Sequence, residues 1–196
     1  MMSLVATATA VIALAGASTA LATRLYSGPV ALPTGTNIEM SLTGSTSIKT
    51  TGGLALETCS GSSVKGQTQN AGGSTETVRI AISRTSMTWL GCSHLTQTIE
   101  GGELEIHHIA GTVNGTVTAK GFKFTTTGNF GGSCVYTFGA GTVFGTLTGK
   151  TSGSAVIDIN TVIQRESGAS SECMEEKVWT GTYAITSPAA VTVTAS

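Results

Sequence analysis

Ile157-Asp158-Ile159-Asn160-Thr161-Val162-Ile163 decides the fold class. Ile157, Ile159 and Ile163 share one face of an extended chain, with Asp158 and Asn160 opposite, and side chains that alternate at period 2 mark a half-buried strand. The same texture runs outward in both directions. Ile38, Met40 and Leu42 alternate with polar neighbours, as do Val78, Ile80 and Ile82, then Leu104 and Ile106. Phe122 and Phe124 flank Lys123, Tyr136 and Phe138 flank Thr137, and Val143 and Leu147 fall on one side of a further run. Trp179, Tyr183 and Ile185 share a face, and Val191 and Val193 close the chain. Between the runs stand turn formers: Asn114-Gly115, which favours a type I′ hairpin, and the pairs Gly52-Gly53, Gly72-Gly73, Gly101-Gly102 and Gly131-Gly132. No window shows helical periodicity, and threonine and valine suit a pleated surface. The three prolines, Pro29, Pro33 and Pro188, lie near the ends and interrupt no central strand. Ten to twelve strands are expected in one all-β domain. Its form is a two-sheet antiparallel sandwich (Greek-key or jelly-roll-like) or a flattened barrel.

Charge excludes whole classes of partner. Only 11% of the 196 residues are charged, ten basic against eleven acidic, and no stretch concentrates either sign. Nucleic-acid binding needs a basic stripe that displaces counterions from phosphate, and none exists. Apolar residues at 40% are enough for a buried core.

Residues 1–22 stand apart. From Ser3 to Ala22 there is no charge, and the stretch closes on Ala20-Leu21-Ala22. This predicts a secretory signal peptide cleaved after Ala22, leaving a single domain over 23–196, although no Lys or Arg precedes the apolar run. A retained membrane anchor is the competing reading; its Ala/Thr/Gly content is weakly apolar for a span. Cys59, Cys92, Cys134 and Cys173 include no C-x-x-C pair, so zinc-ribbon spacing is missing. An even number in an exported chain predicts two disulfides. The sequential pairing, Cys59 with Cys92 and Cys134 with Cys173, closes each half of the domain separately.

From Thr50 to Thr194 the chain resembles a family of small exported actinobacterial proteins rich in Thr, Ser and Gly. The resemblance rests on Thr58-Cys59-Ser60-Gly61-Ser62-Ser63-Val64-Lys65-Gly66 with Asn70-Ala71-Gly72-Gly73, on Trp89-Leu90-Gly91-Cys92, on Gly132-Ser133-Cys134-Val135-Tyr136, and on the ending Cys173 … Trp179-Thr180-Gly181-Thr182-Tyr183-Ala184-Ile185-Thr186-Ser187-Pro188. These motifs are structural, and the family carries no assigned activity. The layout also resembles, more weakly, the exported protein activator of alkane oxidation, which implies a surface-associated role and no catalytic residue.

Groups able to do chemistry are few. His107 shares a face with Glu103 and Glu105, so two carboxylates and an imidazole could hold a divalent cation, but a single open strand face completes no shell and a solvated polar face is the better account. His108 points the other way, as a semi-buried and satisfied side chain. Asp158 is the single aspartate, no G-x-S-x-G elbow occurs, and nothing gathers His94 or His107 with an acid and a serine. Glu172-Cys173-Met174-Glu175-Glu176-Lys177 reads as a solvated bend beside a cysteine rather than paired glycosidase carboxylates. Gly145-Thr146-Leu147-Thr148-Gly149-Lys150-Thr151 mimics a phosphate loop but is one residue short and has no following helix. Asn114-Gly115-Thr116 is a glycosylation sequon, which the hairpin reading already explains.

No catalytic, metal or cofactor residue is expected. The expectation is a secreted or cell-surface, non-enzymatic β-domain with a structural, adhesion or envelope-associated role. Its partner would be an unidentified extracellular or envelope component, with no nucleic acid and no membrane span after cleavage. Weakly charged strand edges would permit self-association. The alternative is an extracellular ligand-binding module for carbohydrate or an apolar molecule, and after it a secreted hydrolase. Trp89 and Trp179 both sit in patterns that read as core.

Overall fold

Alternation becomes strand wherever one face can be buried, and the computed structural model places fifteen strands among the residues it describes, 22–93, 96–127, 132–139 and 141–196. They are Thr23–Ser27 (β1), Val30–Ala31 (β2), Asn37–Leu42 (β3), Thr46–Lys49 (β4), Ala55–Thr68 (β5), Val78–Cys92 (β6), Thr96–Glu100 (β7) and Gly102–His108 (β8). Gly115–Lys120 (β9), Lys123–Thr127 (β10), Ser133–Thr137 (β11), Val143–Thr148 (β12), Val156–Arg165 (β13), Glu176–Ser187 (β14) and Val191–Ala195 (β15) complete them. The apolar run at residues 1–21, His94 and Gly131 lie outside the described residues.

Of the two forms expected, the structure takes the barrel. β3, β5, β6, β8, β9, β12, β13 and β14 pair in that order, and β14 returns to β3, closing an eight-stranded ring. All pairings are antiparallel. The four longest strands of the ring, β5, β6, β13 and β14, run on past it. There β4 bridges β14 and β5, while β11, β10 and β7 extend from β13. Bulges let the ring curve: the register shifts between Val64 and Gly66 on β5, between Val143 and Gly145 on β12, and between Ile185 and Ser187 on β14. Closure also needs missing side chains. A Cβ on Gly145 would meet the Asp158 carbonyl oxygen at 2.3 Å, so β12 and β13 approach as they do only because that position is glycine.

β15, β1 and β2 form a second sheet in which every residue of β1 pairs with β15. It covers one end of the barrel: Leu25, Val191 and Val193 join the single hydrophobic core, and the Thr23 hydroxyl accepts from the His108 amide (3.0 Å). The terminal run thus pairs within the molecule, as a terminal strand commonly does. Trp179, 2% exposed, is the hub of the interior. Its ring lies 5.3 Å from Phe144, 5.7 Å from Trp89, 5.9 Å from Phe124 and 6.2 Å from Phe138. Trp89 is half-buried against this cluster.

Two local expectations are corrected. Asn114-Gly115 does not form a two-residue hairpin. His108 pairs with Gly115, so the β8–β9 connection is residues 109–114, and the positive φ (74°) is at Gly111. Asn114 instead accepts from the Gly149 amide (3.0 Å), tying this turn to the end of β12. Val143 and Leu147 do not share a face either: the bulge after Val143 turns it outward, and Phe144 and Leu147 take the interior. The strand number exceeds ten to twelve because β1, β2, β4 and β7, none longer than five residues, offered no period legible in the sequence.

Both disulfides pair sequentially. Cys59 and Cys92 are direct cross-strand partners on β5 and β6, with Cα atoms 4.0 Å apart, and Cys134 on β11 joins Cys173 in the β13–β14 connection across 5.7 Å. No described cysteine is free, which fits an oxidising compartment. No helix of the described residues is long and apolar enough to cross a membrane.

Candidate functional site

The titratable residues singled out from sequence do not converge. Glu103, Glu105 and His107 do share the outer face of β8, but the Glu103 carboxylate lies 3.7 Å from Arg79 and His107 Nε2 lies 3.2 Å from the Thr118 hydroxyl. His108 donates through Nε2 to the Thr112 carbonyl (2.8 Å), while its buried Nδ1 finds no partner among the described residues, so it is satisfied at one nitrogen only. Asp158 faces outward on β13 and accepts from the Thr182 hydroxyl (2.7 Å). Gly145–Thr148 is part of β12, an extended segment and no phosphate cradle.

Two charged residues are buried where the long strands run on past the ring: Glu57, on which the sequence reading was silent, and Lys177, which it placed in a solvated bend. Glu57, on β5, is 1% exposed. It stands in a row with Ile48 and Trp179 across β5, β4 and β14, and its carboxylate accepts from the Thr58 amide (3.1 Å), the Ser93 amide and the Ser93 hydroxyl (2.8 Å). Glu57, Cys59 and Cys92 form the one close grouping of three metal-ligating residue types among the described residues, and both sulfurs are consumed by the disulfide.

Lys177 is the second. Of the run Glu172–Lys177, expected as a solvated bend, Glu172, Met174, Glu175 and Glu176 are exposed, but Cys173 is buried in its disulfide and Lys177 lies within β14, where alternation turns it inward opposite Ile163. It is 6% exposed. Its ammonium lies 4.3 Å from the centroid of the Tyr136 ring and 3.5 Å from the Thr126 hydroxyl. Burial holds its pKa below the ordinary lysine value. Burial likewise raises that of Tyr136, against the opposing field of Arg165. The only legible signal was period 2 itself: Lys177 is in phase with Trp179 and Tyr183.

Lys177 forms the floor of a pocket of about 280 Å3, whose walls are Thr126 of β10, Ser133 and Cys134 of β11, and Ser170, Glu172 and Cys173 of the β13–β14 connection. The wall is braced twice. The Cys134–Cys173 disulfide ties it to β11, and Arg165 Nη1 donates to the carbonyls of Cys173 (2.8 Å), Ser171 (3.4 Å) and Ser170 (3.5 Å).

The barrel interior is a different kind of space. Its cavity, between Met40, Met87, Phe144 and Trp179, is wholly apolar and measures about 30 Å3. A cavity of roughly 150 Å3 is the scale that admits benzene, so side chains fill this barrel. Above it, the Trp179 indole donates to the Thr46 hydroxyl (2.8 Å), and burial pushes the Tyr183 hydroxyl up to about 12 although the Ser62 and Thr46 hydroxyls beside it pull the other way.

Comparison with protein-family models, with curated proteins and with solved structures yields no match.

Proposed function

We propose that the chain is an exported, non-enzymatic β-domain, secreted or held at the cell surface, that works through its outer face and strand edges in a structural, adhesion or envelope-associated role. The observation that carries this reading is the barrel's outer face. Hydroxyls pair across neighbouring strands there, Ser63 with Thr88 (2.8 Å) and Ser47 with Thr180 (3.0 Å), with Thr182 on Asp158 beside them, and charge is sparse. Such a face offers donors and acceptors to a neutral, hydrated polymer surface without strong electrostatic steering. Its edges add to this: among the described residues β7 pairs with β10 alone, and its backbone is open to strand addition by a second copy or a partner. The apolar segment at residues 3–22 and the resemblance to exported proteins support the location. An apolar-ligand module has less support, because the interior cavity is so small.

The test is retention on the producing cell's surface. Ser63→Lys with Thr88→Lys, which places charge on the hydroxyl face without entering the core, should release the protein into the medium. Alanine at His94, His107, His108, Asp158 or Glu175 should leave retention unchanged. Loss of function from one of those alanines, with folding intact, would overturn the non-catalytic reading.

A further inference from the structure

A buried ammonium has three donors to satisfy, and Lys177 has one hydroxyl at the limit of hydrogen-bond distance and one ring face. Among the described residues no carboxylate pairs with it; the ion pairs there involve Lys65, Arg79, Lys123 and Arg165. Leaving a cation nine-tenths buried without a counter-charge is costly, and interiors otherwise supply a partner or an apolar residue. Here the space beside the cation is a braced pocket, and a second cation, Arg165, is close enough to act on the same Tyr136 ring.

We propose that this pocket binds a small organic carboxylate, its carboxyl group seated against the Lys177 ammonium and its carbon chain along the disulfide wall. The Ser133 and Ser170 hydroxyls at the rim can donate to the second oxygen. Charge sets the class. Glu172 stands at the rim, so a monoanion facing one lysine is tolerated, whereas a phosphate dianion meets stronger repulsion and no cluster of backbone amides to offset it. The pocket's volume is at the lower edge of ligand sites and suits a short acid rather than a polymer. This site is separate from the hydroxyl face, and its failure would leave the surface reading standing.

The experiment is calorimetric titration of the disulfide-intact protein with hexanoate at constant ionic strength, with inorganic phosphate as the comparator. Saturable hexanoate binding is expected, weakened at least tenfold by Lys177→Met and tightened several-fold by Glu172→Gln. Glu172 is exposed, so its variant decides the matter even if Lys177→Met does not fold. A lysine that is merely hydrated would give no saturable heat. That result, tighter phosphate binding, or hexanoate affinity indifferent to either substitution would overturn the proposal.

Discussion

Tyr183→Phe should gain stability over the parent protein as the pH rises into the alkaline range. Tyr183 is 2% exposed on β14, and its hydroxyl is pushed up to about 12 from an ordinary value of 10.0 by burial. The native state therefore holds the phenolic proton more tightly than the unfolded chain does. A raised native value contributes stability that is fully present below the unfolded pKa and is lost as pH rises through the native one. Two units correspond to about 2.7 kcal/mol, and about half of it is gone at pH ~11. The hydroxyl is buried without a hydrogen-bond partner, so removing it costs little where the group is neutral. Urea unfolding followed by the fluorescence of Trp89 and Trp179 should thus find the variant close to the parent at pH ~8, and more stable than the parent by about 1.4 kcal/mol at pH ~11. Tyr136, raised, and Lys177, lowered, titrate in both proteins and cancel in the difference. A stability gap that stays constant from pH ~8 to pH ~11 would refute the assignment of alkaline sensitivity to Tyr183.

Replacing Cys59 and Cys92 together by serine releases a loop of sequence separation 33, for which closure entropy gives about 4 kcal/mol, so the urea midpoint should fall steeply; a fall of a few tenths of a kcal/mol would show the bridge to be redundant with β5–β6 pairing. Gly145→Ala drives a Cβ onto the Asp158 carbonyl oxygen and should cost about 1–3 kcal/mol in the same assay, whereas an unchanged midpoint would mean that β12 and β13 do not approach so closely.

Strand texture and the Cys59–Cys92 pairing were legible in the sequence because both depend on near neighbours. Period 2 puts Ile157, Ile159 and Ile163 on one face whatever they pack against, and all three are buried. Cys59 and Cys92 lie on strands adjacent in the chain, so the nearest pairing was also the physical one. Asn114-Gly115 and Val143 misled for the opposite reason. A turn and a bulge are chosen by the partner strands they must serve, Asn114 being held by Gly149 and Val143 displaced by the register of β12 on β9.

Only the tertiary structure decided that the sheet closes on itself, since sandwich and barrel bury the same alternating faces and differ in which distant strands meet; the β14–β3 and β3–β5 pairings settle it. It alone also set the environment of Glu57 and Lys177. A charged residue in phase with an apolar face reads like any strand-end polar group, and its burial depends on what strands distant in the chain bring over it. For Lys177 these are Thr126 of β10 and Tyr136 of β11, more than forty residues away in the chain, and they turn an ordinary lysine into the floor of a pocket.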